Sequence, residues 1–313
     1  MTNEFVDLKE NMTVDDAFAK IKKIGIDKET IYTCYVLNMS RKLIGVVTAK
    51  DLLLADRDKL IKDIMDTNII SVNTMEDKEI VAKTFDKYDI IVLPVVDMEN
   101  RLVGIITIDD AIDVIQEENT EDFTKMAAIT PTDDSYFKTS VFSHAKHRII
   151  WLLVLMFSSM ITGGIITNYE TAFAAVPILV SFIPMLMGTG GNCGSQSSTL
   201  IIRGLAMDEI KTKDVFKALW KEIRIALIVG LLLAVVNAIR IQIQYNDLRL
   251  GVIVGIALVA TVVLAKSLGC ILPMLAKKLK LDPAIMAAPL ITTIVDTCSV
   301  LIFFNIAVMI LGI

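Results

Sequence analysis

The chain has 313 residues, of which 54% are hydrophobic and 21% charged, and its mean hydropathy is +0.61. Residues 1–147 hold 18 Lys+Arg against 28 Asp+Glu, a net charge of −10, while residues 148–313 hold 13 against 8, a net of +5. Two unlike materials joined near residue 148 exclude one uniform soluble domain, a secreted disulfide scaffold and a disordered chain, and an acidic soluble half speaks against a nucleic-acid partner.

The opening stretch MTNEFVDLKE lacks the basic and apolar regions of a signal peptide, so the first half is expected to stay in the cytosol. An internal repeat follows. Arg41–Asp51 (RKLIGVVTAKD) aligns with Asn100–Asp110 (NRLVGIITIDD) at an offset of 59 residues. Each copy follows a β-rich run, Ile31–Leu37 or Ile90–Val96, and continues as a short strand, a Gly turn, a second strand and a helix start. The pattern predicts two βαββα units, 1–63 and 64–122, packed face to face around a cleft. Thr48 and Thr107 precede the helices, and Asp51 and Asp110 sit in their first turns, where acids suit the helix dipole.

Acids crowd the second unit: Asp77, Glu79, Asp89, Asp109, Asp110, Asp113, Glu117, Glu118, Glu121 and Asp122. Asp109, Asp110, Asp113, Glu117 and Glu121 share one helical face, where like charges repel. The plain reading is a solvated helix face. The functional reading is a surface for a hard divalent cation that relieves the repulsion. Cys34, Cys193, Cys270 and Cys298 are far apart, without a CxxC, and read as small hydrophobes.

Residues 123–147 read as a linker, broken at Thr130-Pro131-Thr132-Asp133-Asp134, followed by a basic amphipathic connecting helix over Phe137–Arg148 at the cytosolic membrane face. Residues 148–313 predict an all-α membrane domain of five spans: Ile149–Thr167, Ala172–Ile202, Ile223–Ile239, Gly251–Leu275 and Ile285–Leu311. Lys146 and Arg148, the loop from Arg203 to Arg224, and Lys277, Lys278 and Lys280 all fall on one side. The positive-inside rule then places residues 1–147 inside and the C-terminus outside.

Polar exceptions within these spans carry the chemistry. Asp296 lies in the last span with Thr292 and Thr293 about one turn toward the cytosol. A carboxylate at membrane depth costs roughly 2.5–3.5 kcal/mol and usually faces a bundle interior or a wet path. The choice is between a buried polar contact and a cation site. Gly188–Ser198 (GTGGNCGSQSS) is expected to interrupt the second span, as tight small-residue packing or as irregular backbone lining a cavity, with Asn192 and Gln196 adding amide dipoles. Lys266 lies about 16 Å deeper than Lys277 at 1.5 Å per residue. It snorkels or pairs with an acid, and is placed off the pore.

These residues resemble a known family. Phe182-Ile183-Pro184, Gly188-Thr189-Gly190-Gly191-Asn192, Ser195-Gln196, Thr199-Leu200, Arg203-Gly204, Asp282-Pro283-Ala284, Pro289-Leu290, Thr292-Thr293 and Asp296 are similar to the membrane motifs of MgtE-type magnesium channel/transporters. The soluble repeat is similar to a tandem cystathionine-β-synthase (CBS) pair. The resemblance implies an α+β CBS pair followed by a five-helix polytopic pore domain, a homodimer in the cell membrane, and transport rather than enzymatic chemistry. It implies that Asp296 holds Mg²⁺ largely through water, with Thr292, Thr293 and Asn192 nearby. It also implies a gate, in which cytosolic Mg²⁺ binds at Asp77, Glu79, Asp89, Asp110, Asp113, Glu118, Glu121 and Asp122. Some members bind ATP in the CBS cleft, where Asp51, Lys50, Thr48 and Ile90 match. Members often begin with a further helical domain, so this chain is expected to be a short form. Ala288 and Lys266 depart from the residues frequent at their positions. The rivals are a transporter of Co²⁺, Mn²⁺ or Ca²⁺ and a non-conducting CBS-based membrane sensor.

Overall fold

A computed structural model describes residues 1–132, 136–169, 174, 176–286 and 288–312. The chain divides into two compact units, Met1–Asn119 and Thr120–Ile313.

The first unit is built twice from the same parts. Its first repeat comprises β1 (Val6–Lys9), α1 (Val14–Ile24), β2 (Thr33–Leu37), β3 (Leu43–Thr48), α2 (Ala49–Leu54) and α3 (Ile61–Ile64). The second comprises β4 (Val72–Asn73), α4 (Lys78–Tyr88), β5 (Val92–Val96), β6 (Leu102–Thr107) and the start of α5 (Ile108–Met126). In each three-stranded sheet the first strand runs parallel to the second, and the second antiparallel to the third. Alternation along β3 puts Leu43, Gly45 and Val47 inside, as a pleat with one buried face requires. The hairpins are closed by the same device. Asn38 Oδ1 accepts from the backbone N–H of Ser40 and Lys42, and Asp97 Oδ1 accepts from those of Glu99 and Arg101. This Asx geometry holds the turn, with Arg41 at φ 61° and Asn100 at φ 63°.

The repeats join around an approximate two-fold axis. Leu43 N–H donates to Asn100 O at 3.1 Å, and Leu102 N–H donates to Arg41 O at 3.3 Å, a reciprocal pair at the sequence offset of the repeat. Tyr35, Leu37 and Leu43 pack there against Val96, Leu102 and Ile105. The symmetry fails at one place. In the first repeat the chain folds back over its own core. Val14 N–H donates to Lys59 O, Ile61 N–H donates to Met12 O, and Ile61 is fully buried. In the second repeat α5 runs straight on, and Lys78, the counterpart of Val14, is exposed and pairs with Glu117 and Glu118. A cavity of about 420 Å³ opens where the return segment would lie, with Val72, Val81, Val95 and Ala111 among its walls.

The second unit holds the long helices α6 (Val141–Asn168), α7 (Ile183–Ala206, after a 3₁₀ turn at Pro177–Phe182), α8 (Val215–Tyr245), α9 (Leu248–Lys278) and α10 (Ala288–Leu311). α9 packs against α7, α8 and α10, and α6 packs against α10. Phe182, Leu186, Val254, Leu258, Phe303 and Phe304 are among the buried residues of this core. On α6, Ile150, Leu152, Phe157 and Met160 are exposed, which suits a face toward lipid.

Four stretches among the described residues are long and apolar enough to cross a membrane: Val141–Asn168, Thr212–Tyr245, Leu248–Lys278 and Pro283–Leu311. Five were expected. The second expected span corresponds to α7, whose 24 residues suffice in length but carry too many Gly, Ser, Asn and Gln side chains to count as apolar. Residues 172, 173 and 175 of that expected span lie outside the described residues, as do Asp133 and Asp134 of the expected linker break. Residues 141–147 are the first turns of α6 rather than a separate connecting helix, with Ser140 as N-cap to Ser143 N–H. Of the two expectations for Gly188–Ser198, irregular backbone does not occur, and the helix is regular through every glycine from 188 to 194.

Candidate functional site

The sequence Pro289–Asp296 lies in the first turns of α10, where proline is tolerated because its missing N–H has no helical partner. The hydroxyls of Thr292 and Thr293 both donate to Pro289 O, at 2.9 and 2.8 Å. Their hydrogens are thereby spent, which leaves their oxygen lone pairs as acceptors. Thr297 donates to Thr293 O and shares a 2.7 Å contact with Thr162 on α6. Asp296 is half-buried and has no hydrogen-bond or ion-pair partner among the described residues.

α7 backs this segment through its glycines. A Cβ on Gly191 would come 2.9 Å from Thr292 Cγ2, one on Gly190 2.8 Å from Val295 Cγ1, and one on Gly194 2.7 Å from Ile291 Cγ2. The glycines therefore serve close helix packing, the plainer of the two expectations, and they bring the α7 backbone against Thr292. Asn192, next to that contact, is exposed on the single chain. Thr292, Thr293 and Asp296 are thus gathered on one helix, with Asn192 on its neighbour. The side chain of Ala288 lies outside the described residues.

Lys266 is buried and pairs with an acid, which settles the two alternatives left by the sequence. Its Nζ lies 3.7 Å from Glu222 on α8 and donates to Ser197 Oγ on α7 at 3.2 Å, and Ser197 donates to Glu222 at 2.5 Å. Glu222 and Ser197 were not anticipated. α8 starts at Val215, ahead of the expected start at Ile223, so Glu222 lies inside a helix rather than in a basic loop. The signal was Lys266 itself, since a buried ammonium demands a counter-charge.

The acids singled out in the first unit are mostly engaged within the chain. Asp77 caps α4, accepting from Glu79 N–H, and Glu79 pairs with Lys83 at 2.6 Å. Glu118 pairs with Lys78 at 3.1 Å, and Asp110 lies 3.2 Å from the amino group of Met1. Asp110 and Asp113 line the 420 Å³ cavity, and Asp89 is a left-handed C-cap of α4. Thr107 holds the carboxyl of Asp109 below the usual range. In the second unit, Glu121 pairs with Lys125 at 2.5 Å, and Lys125 also reaches Asp282 at 2.6 Å. Burial alone would push the Lys125 ammonium down, but the hydrogen bonds to Asp282 and Glu121 outweigh it and hold the group above the ordinary lysine range. Asp122 also has an interaction within the chain. Among the described residues no three His, Cys, Asp or Glu side chains gather closely enough to hold a metal ion.

Of the residues matched to a nucleotide, Ile90 lines a cleft of about 370 Å³ between the repeats, with Thr33, Asp66, Asn68 and Asp89. Thr48 is paired in register with Thr33, but its hydroxyl and Asp51 are locked in a capping box at 2.6 Å, and Lys50 is exposed. Sequence reasoning missed Tyr35. It lines the same cleft, and its buried hydroxyl has no partner among the described residues.

A family model described as MgtE, divalent cation transporter, matches residues 183–306, and the CBS domain model matches 1–58 and 61–117. The chain is 39% identical to the magnesium transporter MgtE of Bacillus subtilis over 98% of its own length and 68% of the relative's. The chain belongs to the MgtE family. It is 38% identical to the magnesium transporter MgtE of Thermus thermophilus, again over 98% of its length and 68% of the relative's. A solved structure, the cytosolic domain of the Mg²⁺ channel MgtE in complex with ATP, is 43% identical over 36% of this chain and 46% of that one, with a TM-score of 0.36. The chain is thus a CBS domain pair followed by a helical membrane domain, in a multi-pass family of transporters rather than enzymes.

Proposed function

We propose that the chain conducts Mg²⁺ across the cell membrane as a homodimer, with one Asp296 from each copy at the ion path. The observation that carries this reading is Asp296 itself, half-buried on an apolar helix and without a partner. Two carboxylates match the charge of one divalent ion. Mg²⁺ dehydrates reluctantly and keeps several waters, and those waters donate hydrogen bonds. Thr292 and Thr293, with their hydrogens spent on Pro289 O, are suited to accept them. An all-oxygen donor set without His or Cys favours hard ions. The basic loops support a topology with the CBS pair in the cytosol and the C-terminus outside, and the exposed apolar face of α6 is suited to lipid.

The same reading assigns a gate to the acids. Asp77, Glu79, Asp89, Asp110, Asp113, Glu118, Glu121 and Asp122 respond to cytosolic Mg²⁺, which lowers the repulsion among them and so shifts the open–closed equilibrium. Because they do not gather into a cluster of three, each contributes singly or in pairs to a hydrated ion. The cleft beside Ile90 and Tyr35 suits a regulatory nucleotide such as ATP, with the Tyr35 hydroxyl as a donor awaiting an acceptor.

Mg²⁺ influx into proteoliposomes, followed with a Mg²⁺ dye and with Co²⁺, Mn²⁺ and Ca²⁺ as competitors, tests the reading. Influx that Mg²⁺ on the CBS side suppresses, and that deletion of residues 1–122 releases from suppression, is expected. A competitor carried in preference to Mg²⁺ would reassign the ion. Folded protein that carries no divalent ion would point to a sensor.

A further inference from the structure

Outside the Asp296 segment, among the described residues, the helical unit buries an acid and a base together. Glu222 and Lys266 are 6% and 5% exposed, and Ser197 is fully buried between them. Charged groups at membrane depth cost free energy to insert, and a buried ion pair gives little net stability over an apolar pair of the same size. Stability is therefore a poor reason for the triad. Its position suggests another. Ser197 continues the α7 stripe of Gly190 and Gly194. A Cβ on Gly194 would lie 3.3 Å from Ala265 O on α9, and one on Gly269 of α9 would lie 3.0 Å from Ser197 Cβ. Further along, Ile201 and Leu205 of α7 pack against Cys270 and Met274 of α9. At the glycine contacts the two helices come close, and there the triad adds directional bonds that apolar packing does not supply. α7 in turn presses its glycines on Ile291, Thr292 and Val295 of α10.

We propose that Glu222, Ser197 and Lys266 are positioning residues that fix the register of α7 between α9 and α10, and so set where Thr292 and Asp296 stand in the ion path. Ser197 is the key of this register device. It donates to Glu222 and accepts from Lys266, tying α7 to α8 and α9 at once. Each partner is specified by the other two: the hydroxyl has one hydrogen to give and a lone pair to offer, and the acid and base take one each. Glu222 also lines a cleft of about 480 Å³ with Arg203, Lys217 and Lys221, so Lys266 and Ser197 hold it against competing cations. Buried polar groups that specify one arrangement rather than stabilise it are known from coiled-coil registers. The proposal rests on Asp296 as the ion site for its transport readout, and on helix position alone for its second readout.

The experiment compares Ser197→Ala, Glu222→Gln, Lys266→Met and the exchanged pair Glu222→Lys/Lys266→Glu with the parent protein in proteoliposomes. The readouts are Mg²⁺ influx per folded protein, the half-saturating Mg²⁺, the ratio of Mg²⁺ to Ca²⁺ influx, and the labelling rate of native Cys298, two residues beyond Asp296. Glu222→Gln and Lys266→Met, which strand a buried charge, are expected to lose influx about tenfold or more, and the exchanged pair to recover at least part of it. Ser197→Ala keeps the charges paired and is expected to fold even if the single charge variants do not. It should shift half-saturation, the Mg²⁺/Ca²⁺ ratio and Cys298 labelling by about threefold or more, the size of coupling expected between contacting groups. Folded Ser197→Ala with all three unchanged would overturn the proposal. If the parent carries no Mg²⁺, the ion-site reading fails, and the Cys298 rates still decide the register claim: changed in Ser197→Ala they support it, unchanged they refute it.

Discussion

Gly190→Ala adds one methyl to the face of α7 that meets α9 and α10. That Cβ would lie 2.7 Å from Thr261 Cγ2, 2.8 Å from Val295 Cγ1 and 3.1 Å from Ser299 Oγ. Carbon atoms prefer about 3.5–4.0 Å, so the methyl overlaps two β-branched side chains by nearly an ångström from different helices. Such side chains have little rotamer freedom within a helix, and α7 itself must move. Overpacking of this kind costs roughly 1–3 kcal/mol, partly offset by the roughly 0.5–1 kcal/mol by which Ala outdoes Gly in a helix. Gly164→Ala on α6 is the control, because a Cβ there meets nothing within 4 Å, leaving only the helix gain. Because the helix gain is common to both variants, thermal melting in detergent should place Gly190→Ala below Gly164→Ala by roughly 2–12 °C, the overpacking cost at the usual 2–4 °C per kcal/mol, with Gly164→Ala level with the parent or above. Influx should fall in the first and hold in the second. Equal melting of the two variants would refute the packing argument, and with it the claim that the glycines of α7 are there to let helices approach.

Thr48→Ala removes the capping box of α2, a helix of only six residues, and should lower stability by about 1 kcal/mol, read as a melting shift; no shift would mean that the cap is dispensable. Burial pushes the Cys34 thiol up to about 12, so at pH 8 its thiolate fraction is on the order of 10⁻⁴. Alkylation of Cys34 should be at least about 100-fold slower in the folded protein than in the unfolded one, and comparable rates would contradict its burial. Lys125→Met should cost about 1 kcal/mol at neutral pH. The folded ammonium is held above its ordinary value of 10.5, so this difference should stay level from pH 7 to 10 and shrink only as pH rises through the folded value. A loss already complete at pH 9 would mean that the bonds to Glu121 and Asp282 do not form in solution.

The architecture was legible where the chain repeats itself or stays apolar for a long run. The offset between Arg41–Asp51 and Asn100–Asp110 appears as a two-fold relation in the backbone bonds of Leu43 and Leu102. α6, α8, α9 and α10 followed from apolar length. α7 was harder, because glycines that look like a break in a sequence act as a packing surface once two neighbours supply the contacts, and only tertiary structure shows those neighbours. The same limit applies to Glu222. Its partner Lys266 was conspicuous, but the start of α8 was set by hydropathy, which ends at the first charge, and the acid lay one residue beyond it. Asp51 was named as a nucleotide contact through the family resemblance, while its place in a helix first turn spoke only for the dipole; the structure adds a capping box with Thr48 that accounts for that placement. Tyr35 left no signal, since a buried strand tyrosine reads as core until its hydroxyl is found without a partner.

The most direct test is Mg²⁺ influx into proteoliposomes by the parent protein and by Asp296→Asn, which keeps the side-chain volume and removes the charge. With equal amounts of folded protein reconstituted, influx should be carried by the parent and fall to the level of empty vesicles in Asp296→Asn. Equal influx in the two would contradict the assignment of Asp296 to the ion path, and the pore would have to be sought elsewhere in the helical unit.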